Sequence, residues 1–128
     1  MTLGMQGILF VGLGGVVGAL ARYGLGALVH RFVAGTFPLG TMLVNLLGCL
    51  LIGVLAGVQD ARQIFSPEWS LFIFVGALGS FTTFSTFGLD AFRLLREGAF
   101  WPFGIYVGTQ MIVGILAVFL GFSLSRWL

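Results

Sequence analysis

The chain has 128 residues, of which 59% are hydrophobic and 8% are charged, and its mean hydropathy is +1.12. No soluble domain of this size could hide so much apolar surface, so we expect the membrane to be its solvent. The net charge of +2 comes with six dispersed arginines, which excludes a nucleic-acid-binding surface, and the single cysteine, Cys49, excludes an internal disulfide.

Four uncharged runs predict four membrane-spanning helices and therefore an all-α integral membrane protein. We expect the spans at about 5–29, 37–59, 69–91 and 101–125. The loops between them are too short to hold a domain, so we predict one transmembrane channel domain covering residues 1–128. The arginines are divided between the two sides with only a weak bias, so such a chain can insert either way round.

The first span carries a glycine pair and one arginine near its end. Gly14 and Gly18 have the small-xxx-small spacing that lets helix backbones approach closely. Arg22, left uncompensated at membrane depth, would cost at least about 2.5 kcal/mol. Two interpretations stay open for it: the side chain snorkels to the interface, or it forms a positive collar that draws anions to a vestibule.

The second span contains one amide side chain, Asn45, in an otherwise apolar run. Thr41, Asn45 and Gly48 recur at intervals of four and three residues, so they share one face of the helix. Asn45 is either an interhelical hydrogen-bonding residue, worth about 1 kcal/mol in a membrane, or an amide donor directed into a pore.

Glycine, hydroxyl and aromatic residues crowd the middle of the third span, from Gly76 to Asp90. Irregular backbone at membrane depth is tolerated only where it is buried in protein or lines a wet cavity. A break in this helix would free backbone carbonyls of the kind that discontinuous spans use to bind ions. The alternative is an unbroken helix whose hydroxyls bond to carbonyls four residues back.

The first half of the fourth span is also polar. Tyr106 and Gln110 are each either packing residues that form hydrogen bonds or residues that line a pore, and Thr109 lies beside them. Gly104 and Gly108 form another pair suited to close helix packing.

The sequence places no carboxylate inside a predicted span, since Asp90 comes at the end of the third. A proton-coupled exporter of four short spans would need such an acid. We also expect no enzyme, because no nucleophile with a base, metal cluster or phosphate loop is present in the pattern. The polar groups in the spans are instead hydrogen-bond donors, namely Asn45, Ser85, Thr86, Tyr106 and Thr109, with Arg22 near one end.

Two phenylalanines add to this donor set. Phe84 and Phe87 are three residues apart and share a helix face, and the edge of a phenyl ring is the positive part of its quadrupole. Ring edges and neutral donors bind a small hard anion without trapping it, as conduction requires. This combination favours an anion route without choosing the anion.

Three stretches of the sequence resemble the Fluc-type fluoride channels, also called the CrcB family. They are residues 14–23 (GGVVGALARY), 40–48 (GTMLVNLLG) and 79–87 (GSFTTFSTF), of which the last carries the Thr-Thr-Phe-Ser-Thr-Phe hallmark. The length and the four-span layout match along the whole chain. Asp90 stands where the family usually has glutamate, and Gly88 where serine is frequent.

The resemblance implies a homodimer of two antiparallel, dual-topology chains with two fluoride pores, in which the third helix is broken near its middle. It implies that Asn45 is the pore amide and that Phe84 and Phe87 are the pore phenylalanines. It also implies a structural Na⁺, not transported, that is held at the dimer centre by backbone carbonyls of Gly79 and Thr82. The predicted fluoride-pore residues are together Asn45, Phe84, Phe87, Ser85, Thr86, Tyr106, Thr109 and Arg22.

The implied function is passive export of cytoplasmic fluoride across the inner (plasma) membrane by a multi-pass channel. The predicted partners are fluoride, membrane lipid and a second copy of the chain, with no nucleic acid. A small proton-coupled multidrug-type transporter is the alternative, and substrate-driven proton uptake would favour it. A membrane scaffold, in which every glycine and hydroxyl serves packing, is a third reading that the absence of any ion flux would favour.

Overall fold

The computed structural model describes residues 4–128, so the first three residues of the predicted domain 1–128 lie outside the described residues. The described part contains four helices long and apolar enough to cross a membrane, namely Met5–Phe32, Leu39–Arg62, Pro67–Arg96 and Phe100–Trp127. The prediction of an all-α membrane protein with four spans is therefore confirmed. Each helix begins close to its predicted start and continues a few residues beyond its predicted end.

Local sequence signals explain where the spans begin and end. The second span starts directly after Pro38, which has no amide hydrogen to lose at a helix start. The third starts after Ser66, whose Oγ accepts the amide hydrogen of Trp69 at 3.3 Å, with Pro67 in the first turn. Gly98, at a φ of 71°, makes the turn between the third and fourth spans.

The third span is not a uniform helix. Its wide π-helical turns cover Leu71–Leu78, a short α-helical turn covers Gly79–Phe81, and an α-helix runs over Phe84–Arg96. Between the last two, the backbone is extended at Thr82 (φ −83°, ψ 162°) and at Thr83 (φ −151°, ψ 117°). The helical conformation is thus interrupted inside the hallmark string.

The first span packs on the first half of the third span through glycines. A Cβ on Gly18 would clash with the carbonyl of Ala77, and one on Gly14 with the carbonyl of Phe72. On the facing helix, a Cβ on Gly76 would lie 2.7 Å from the carbonyl oxygen of Val11. The predicted close packing of Gly14 and Gly18 is therefore confirmed, and it fixes these two helices at backbone contact.

The second span packs on the fourth span in the same manner. A Cβ on Gly53 would clash with the carbonyl of Val118, and one on Gly121 with the carbonyl of Leu50. In contrast, no described atom lies within 4 Å of a Cβ built on Gly104 or Gly108, so these two glycines pack on nothing within the described chain. The two helix pairs together position the residues of the third-span break.

Candidate functional site

The centre of the site is a pair of hydrogen bonds between Asn45 and Thr83. Oδ1 of Asn45 accepts the amide hydrogen of Thr83 at 2.8 Å, and Nδ2 of Asn45 donates to the carbonyl oxygen of Thr83 at 3.1 Å. The side-chain amide of the second span therefore satisfies both backbone groups of an extended residue in the third span. At membrane depth such backbone groups need a protein partner, and Asn45 supplies it.

The interruption of the third span leaves several backbone carbonyls without their helical donors. In a continuous helix the amide of Thr83 would donate to the carbonyl of Gly79, but here it donates to Asn45. The amide of Thr86 would donate to the carbonyl of Thr82, but here it donates to Oγ1 of Thr83 at 3.2 Å, as at a helix N-cap. The carbonyls of Gly79 and Thr82, the two predicted metal ligands, are therefore among those that lose their helical donors at the break.

The fourth span contributes Gln110 to the same network. Nδ2 of Asn45 donates to Oε1 of Gln110 at 2.7 Å, and Nε2 of Gln110 donates to the carbonyl oxygen of Tyr106 at 3.4 Å. Gln110 is buried, with 8% of its surface exposed. Asn45 therefore joins three spans, and both of its amide hydrogens are directed at protein oxygens.

A cavity of about 200 Å³ lies beside this network. The rings of Phe84 and Phe87 line it, with centroids 5.5 Å apart and planes inclined by 40°. Phe87 is buried, whereas 79% of the surface of Phe84 is exposed. The complete lining of the cavity is Asn45, Thr82, Thr83, Phe84, Phe87, Gln110 and Met111.

The ring of Tyr106 packs against the buried Phe87. The two rings stack with centroids 5.5 Å apart, and Tyr106 also makes a T-shaped contact with Phe37 at 5.8 Å. The fully buried Tyr106 donates its hydroxyl hydrogen to Oδ2 of Asp90 at 3.2 Å. Oδ1 of Asp90 lies 3.7 Å from a guanidinium nitrogen of Arg93, so this carboxylate has both a cation and a hydroxyl as partners.

A second cavity, of about 330 Å³, is also lined by Thr83. Arg22 and His30 from the first span line it, together with Thr41 from the second span and Thr86 from the third. The lining of this cavity thus includes one arginine and several hydroxyl-bearing residues. This electropositive lining suits an anion more than a cation.

A third cavity, of about 230 Å³, contains the two freed carbonyl residues. Gly79 and Thr82 line it with Asn45, Gly48 and Cys49, among others. A Cβ on Gly48 would clash with Cγ2 of Thr82, so the absence of a side chain there lets the second span approach the break. All three cavities therefore meet at the segment Thr82–Thr83.

The structure brings most of the predicted residues together. Asn45, Phe84 and Phe87 line the first cavity, and Tyr106 lies behind them. Arg22 and Thr86 line the second cavity. Ser85 is exposed and Thr109 is half-buried, and among the described residues neither lines any of the three cavities.

Two residues of the network were not among the predicted site residues. Thr83 follows the expected pattern of an N-cap, a threonine directly before a helix, and that signal could have identified it. Gln110 was left open between packing and pore lining, because a sequence does not show which amide faces which.

Four apolar helices arranged around an irregular, cavity-lining segment define a multi-pass membrane protein with an internal polar site. Residues 9–122 match the family described as "CrcB-like protein, Camphor Resistance (CrcB)". The chain belongs to the CrcB family.

Curated relatives resemble the chain over nearly its whole length. A protein of Nitratidesulfovibrio vulgaris (strain DSM 19637 / Miyazaki F), "Fluoride-specific ion channel FluC", is 43% identical over 95% of this chain and 98% of its own. A protein with the same name from Methylobacillus flagellatus is 42% identical over 95% and 96%. A third, from Salinibacter ruber, is 43% identical over 97% and 92%.

Proposed function

We propose that this chain forms a fluoride-selective channel through which cytoplasmic fluoride leaves the cell passively. The observation that carries the proposal is the cavity of about 200 Å³ that gathers Asn45, Phe84 and Phe87 at the break in the third span. The chain belongs to a family of ion channels, so it is not an enzyme, and it is a multi-pass protein of the plasma membrane. Its curated relatives are named for fluoride.

The lining of this cavity suits a small, hard anion. Fluoride leaving water needs hydrogen-bond donors or positive ring edges, and a permanent buried cation would hold it too tightly for conduction. Phe84 and Phe87 line the cavity with aromatic rings, and the NH₂ group of Asn45 can donate a hydrogen to the anion once one of its two bonds to protein oxygens opens. Of the other predicted pore residues, Tyr106 orients the Phe87 ring. Ser85 and Thr109 would contact fluoride only if the pore extends beyond the cavities of one chain.

Arg22 acts in this proposal as an attractor outside the narrow path. It lines the cavity of about 330 Å³ together with Thr86, whereas the two phenylalanines line the other cavity that Thr83 borders. A cation in a wide, wet vestibule raises the local concentration of anions without binding any of them for long. Arg22 therefore gathers fluoride before dehydration.

The break in the third span also fits a sodium ion. Na⁺ is a hard cation that prefers oxygen ligands, and discontinuous spans hold such ions with unwound backbone carbonyls. The carbonyls of Gly79 and Thr82 have lost their helical donors, because Thr83 and Thr86 direct their amides elsewhere. Two carbonyls from one chain are too few for an alkali metal, so the proposed structural ion needs the same pair from a second copy.

We infer an antiparallel, dual-topology homodimer for the same reason. One chain leaves Phe84 largely exposed, and Gly104 and Gly108 have open space beside them. A second copy of the chain would cover these residues and complete both the pores and the carbonyl ring. A test is to place one cysteine at the C-terminus (Leu128→Cys with Cys49→Ser) and to label intact cells and, separately, inside-out membrane vesicles with an impermeant maleimide. Labelling from both membrane sides is expected, and labelling from a single side would contradict dual topology.

The proton-coupled transporter is not supported by the comparisons, which match the chain to ion channels. Asp90, the acid nearest to the site, has Arg93 and the hydroxyl of Tyr106 as partners and so is engaged structurally. A membrane potential distinguishes the two functions. For a channel, we expect the direction of fluoride movement across the liposome membrane to reverse when the sign of a potassium–valinomycin potential is reversed. This should hold when the proton gradient has been collapsed. Efflux that follows only a proton gradient would contradict it.

A further inference from the structure

Gln110 accepts a hydrogen bond from Asn45, the amide that the proposed function places in the fluoride path. Asn45 can donate two hydrogens, and the structure uses both of them within the chain: one goes to the carbonyl of Thr83 and the other to Oε1 of Gln110. An anion in the adjoining cavity would therefore find no free donor on Asn45. One of the two bonds must open before Asn45 can hold fluoride.

The network fixes which way the two amides face. The amide hydrogen of Thr83 requires an acceptor, so the oxygen of Asn45 points at it and the NH₂ group points at Gln110. The NH₂ group must meet an oxygen, so Oε1 of Gln110 faces Asn45, and Nε2 of Gln110 faces the carbonyl of Tyr106. Flipping either amide would set donor against donor or acceptor against acceptor.

The two bonds of Asn45 differ in how easily they open. The carbonyl of Thr83 belongs to the backbone, and a second bond between the same two residues holds it in place. Oε1 of Gln110 is at the end of a flexible side chain whose only other hydrogen bond in the described structure is a long one, at 3.4 Å. Both Gln110 and Asn45 line the cavity with Phe84 and Phe87. The Gln110 bond is the one that an anion can replace.

We propose that Oε1 of Gln110 is a built-in competitor of fluoride for the amide hydrogen of Asn45. With the pore empty, Gln110 satisfies the buried donor, which would otherwise be costly. As fluoride enters the cavity, it takes this hydrogen and Gln110 withdraws. Gln110 is thus a positioning residue that weakens fluoride binding, which favours release because conduction requires sites that the ion can leave.

The first test is the fluoride dependence of transport. Gln110→Met keeps the length of the side chain but removes the acceptor. We expect the half-saturating fluoride concentration for liposome efflux to fall by about three- to tenfold, as the loss of one hydrogen-bond competitor predicts. Maximal flux should stay equal or fall. The control is Gln59→Met, which alters a hydrogen-bonded glutamine paired with Phe65 away from the cavity and should leave half-saturation unchanged.

The second test needs no transport. Asn45 is the only asparagine in the sequence, so protein labelled with ¹⁵N-asparagine gives a single side-chain NH₂ pair in NMR spectra. Gln110→Met should shift one proton of this pair upfield. Titration with sodium fluoride should then shift the pair at a lower concentration in the variant than in the parent, with sodium chloride as the salt control.

The outcomes separate this inference from the proposed function. A protein that passes no fluoride, but whose Asn45 amide responds to fluoride more readily in Gln110→Met, would refute the channel and support the competition. Fluoride flux with an unchanged or raised half-saturating concentration in Gln110→Met would keep the channel and overturn the competition. An Asn45 amide that is indifferent to Gln110→Met would overturn it too.

Discussion

Asn45 and Thr83 form a closed pair of hydrogen bonds, 2.8 Å from amide nitrogen to Oδ1 and 3.1 Å from Nδ2 to carbonyl oxygen. The pair replaces the helical bonds that Thr83 gives up, and it couples the second span to the irregular part of the third. One side chain therefore stabilises the break and also lines the proposed fluoride path. Mutations at this residue should affect stability and transport together.

Asn45→Asp is expected to abolish fluoride efflux. The substitution removes the NH₂ donor and sets a carboxylate oxygen against the carbonyl oxygens of Thr83 and Gln110. We expect a loss of about 1–3 kcal/mol in stability, since a buried hydrogen-bond network is broken. Electrode-monitored liposome efflux and thermal unfolding in detergent measure the two effects. Efflux within twofold of the parent would remove Asn45 from the path.

Phe87→Leu is expected to reduce fluoride efflux at least about tenfold, because it removes the ring edge while it keeps an apolar side chain in the core. Phe92→Leu is the matched control: it makes the same change on the same helix at an exposed position outside the described cavities. Equal efflux from the two variants would show that the ring of Phe87 serves packing alone.

Tyr106→Phe separates the hydroxyl of this residue from its ring. The stack on Phe87 should persist, whereas the hydrogen bond to Asp90 is lost, so we expect a stability decrease of about 1 kcal/mol with fluoride efflux retained. Tyr106→Ala also removes the ring, and we expect a further loss of about 2–4 kcal/mol and a large fall in efflux. If Tyr106→Phe were as inactive as Tyr106→Ala, the hydroxyl itself would be part of the path.

Gly18→Ala should destabilise the protein by about 1–3 kcal/mol, because its Cβ would clash with the carbonyl of Ala77 across the first and third spans. Gly12→Ala, on the same helix, has no described atom within 4 Å of the new Cβ and should stay close to the parent. Thermal unfolding in detergent of both variants, side by side, checks this. Similar midpoints would mean that the backbone contact is not closely packed.

The membrane spans could be predicted from the sequence because hydropathy and length are local properties. The four uncharged runs predicted the four helices, and the spacing of Gly14 and Gly18 predicted their close packing, both of which the structure confirms. The glycine and hydroxyl residues around Thr82 singled out the irregular stretch. They could not show that Asn45 takes the bonds of Thr83, since that depends on how two distant helices pack.

The candidate site could be predicted from the sequence only in part, because it also depends on how distant helices pack. The residue types of Asn45, Phe84 and Phe87 pointed to an anion route, but Gln110 could not be assigned from its neighbours in sequence. Its partner lies 65 residues away, and only the packing of the second and fourth spans brings the two amides within 2.7 Å. Two further features remain predictions, namely the pore roles of Ser85 and Thr109 and the proposed sodium site. Both would require a second copy of the chain.

The central claim is that the path through this protein selects fluoride. The most direct measurement loads liposomes with equal concentrations of fluoride and chloride and follows both ions with paired electrodes as efflux begins. We predict rapid loss of fluoride while chloride stays inside, and no efflux of either ion from liposomes that hold Asn45→Asp. Loss of both halides at similar rates, or retention of both by the parent protein, would contradict the account.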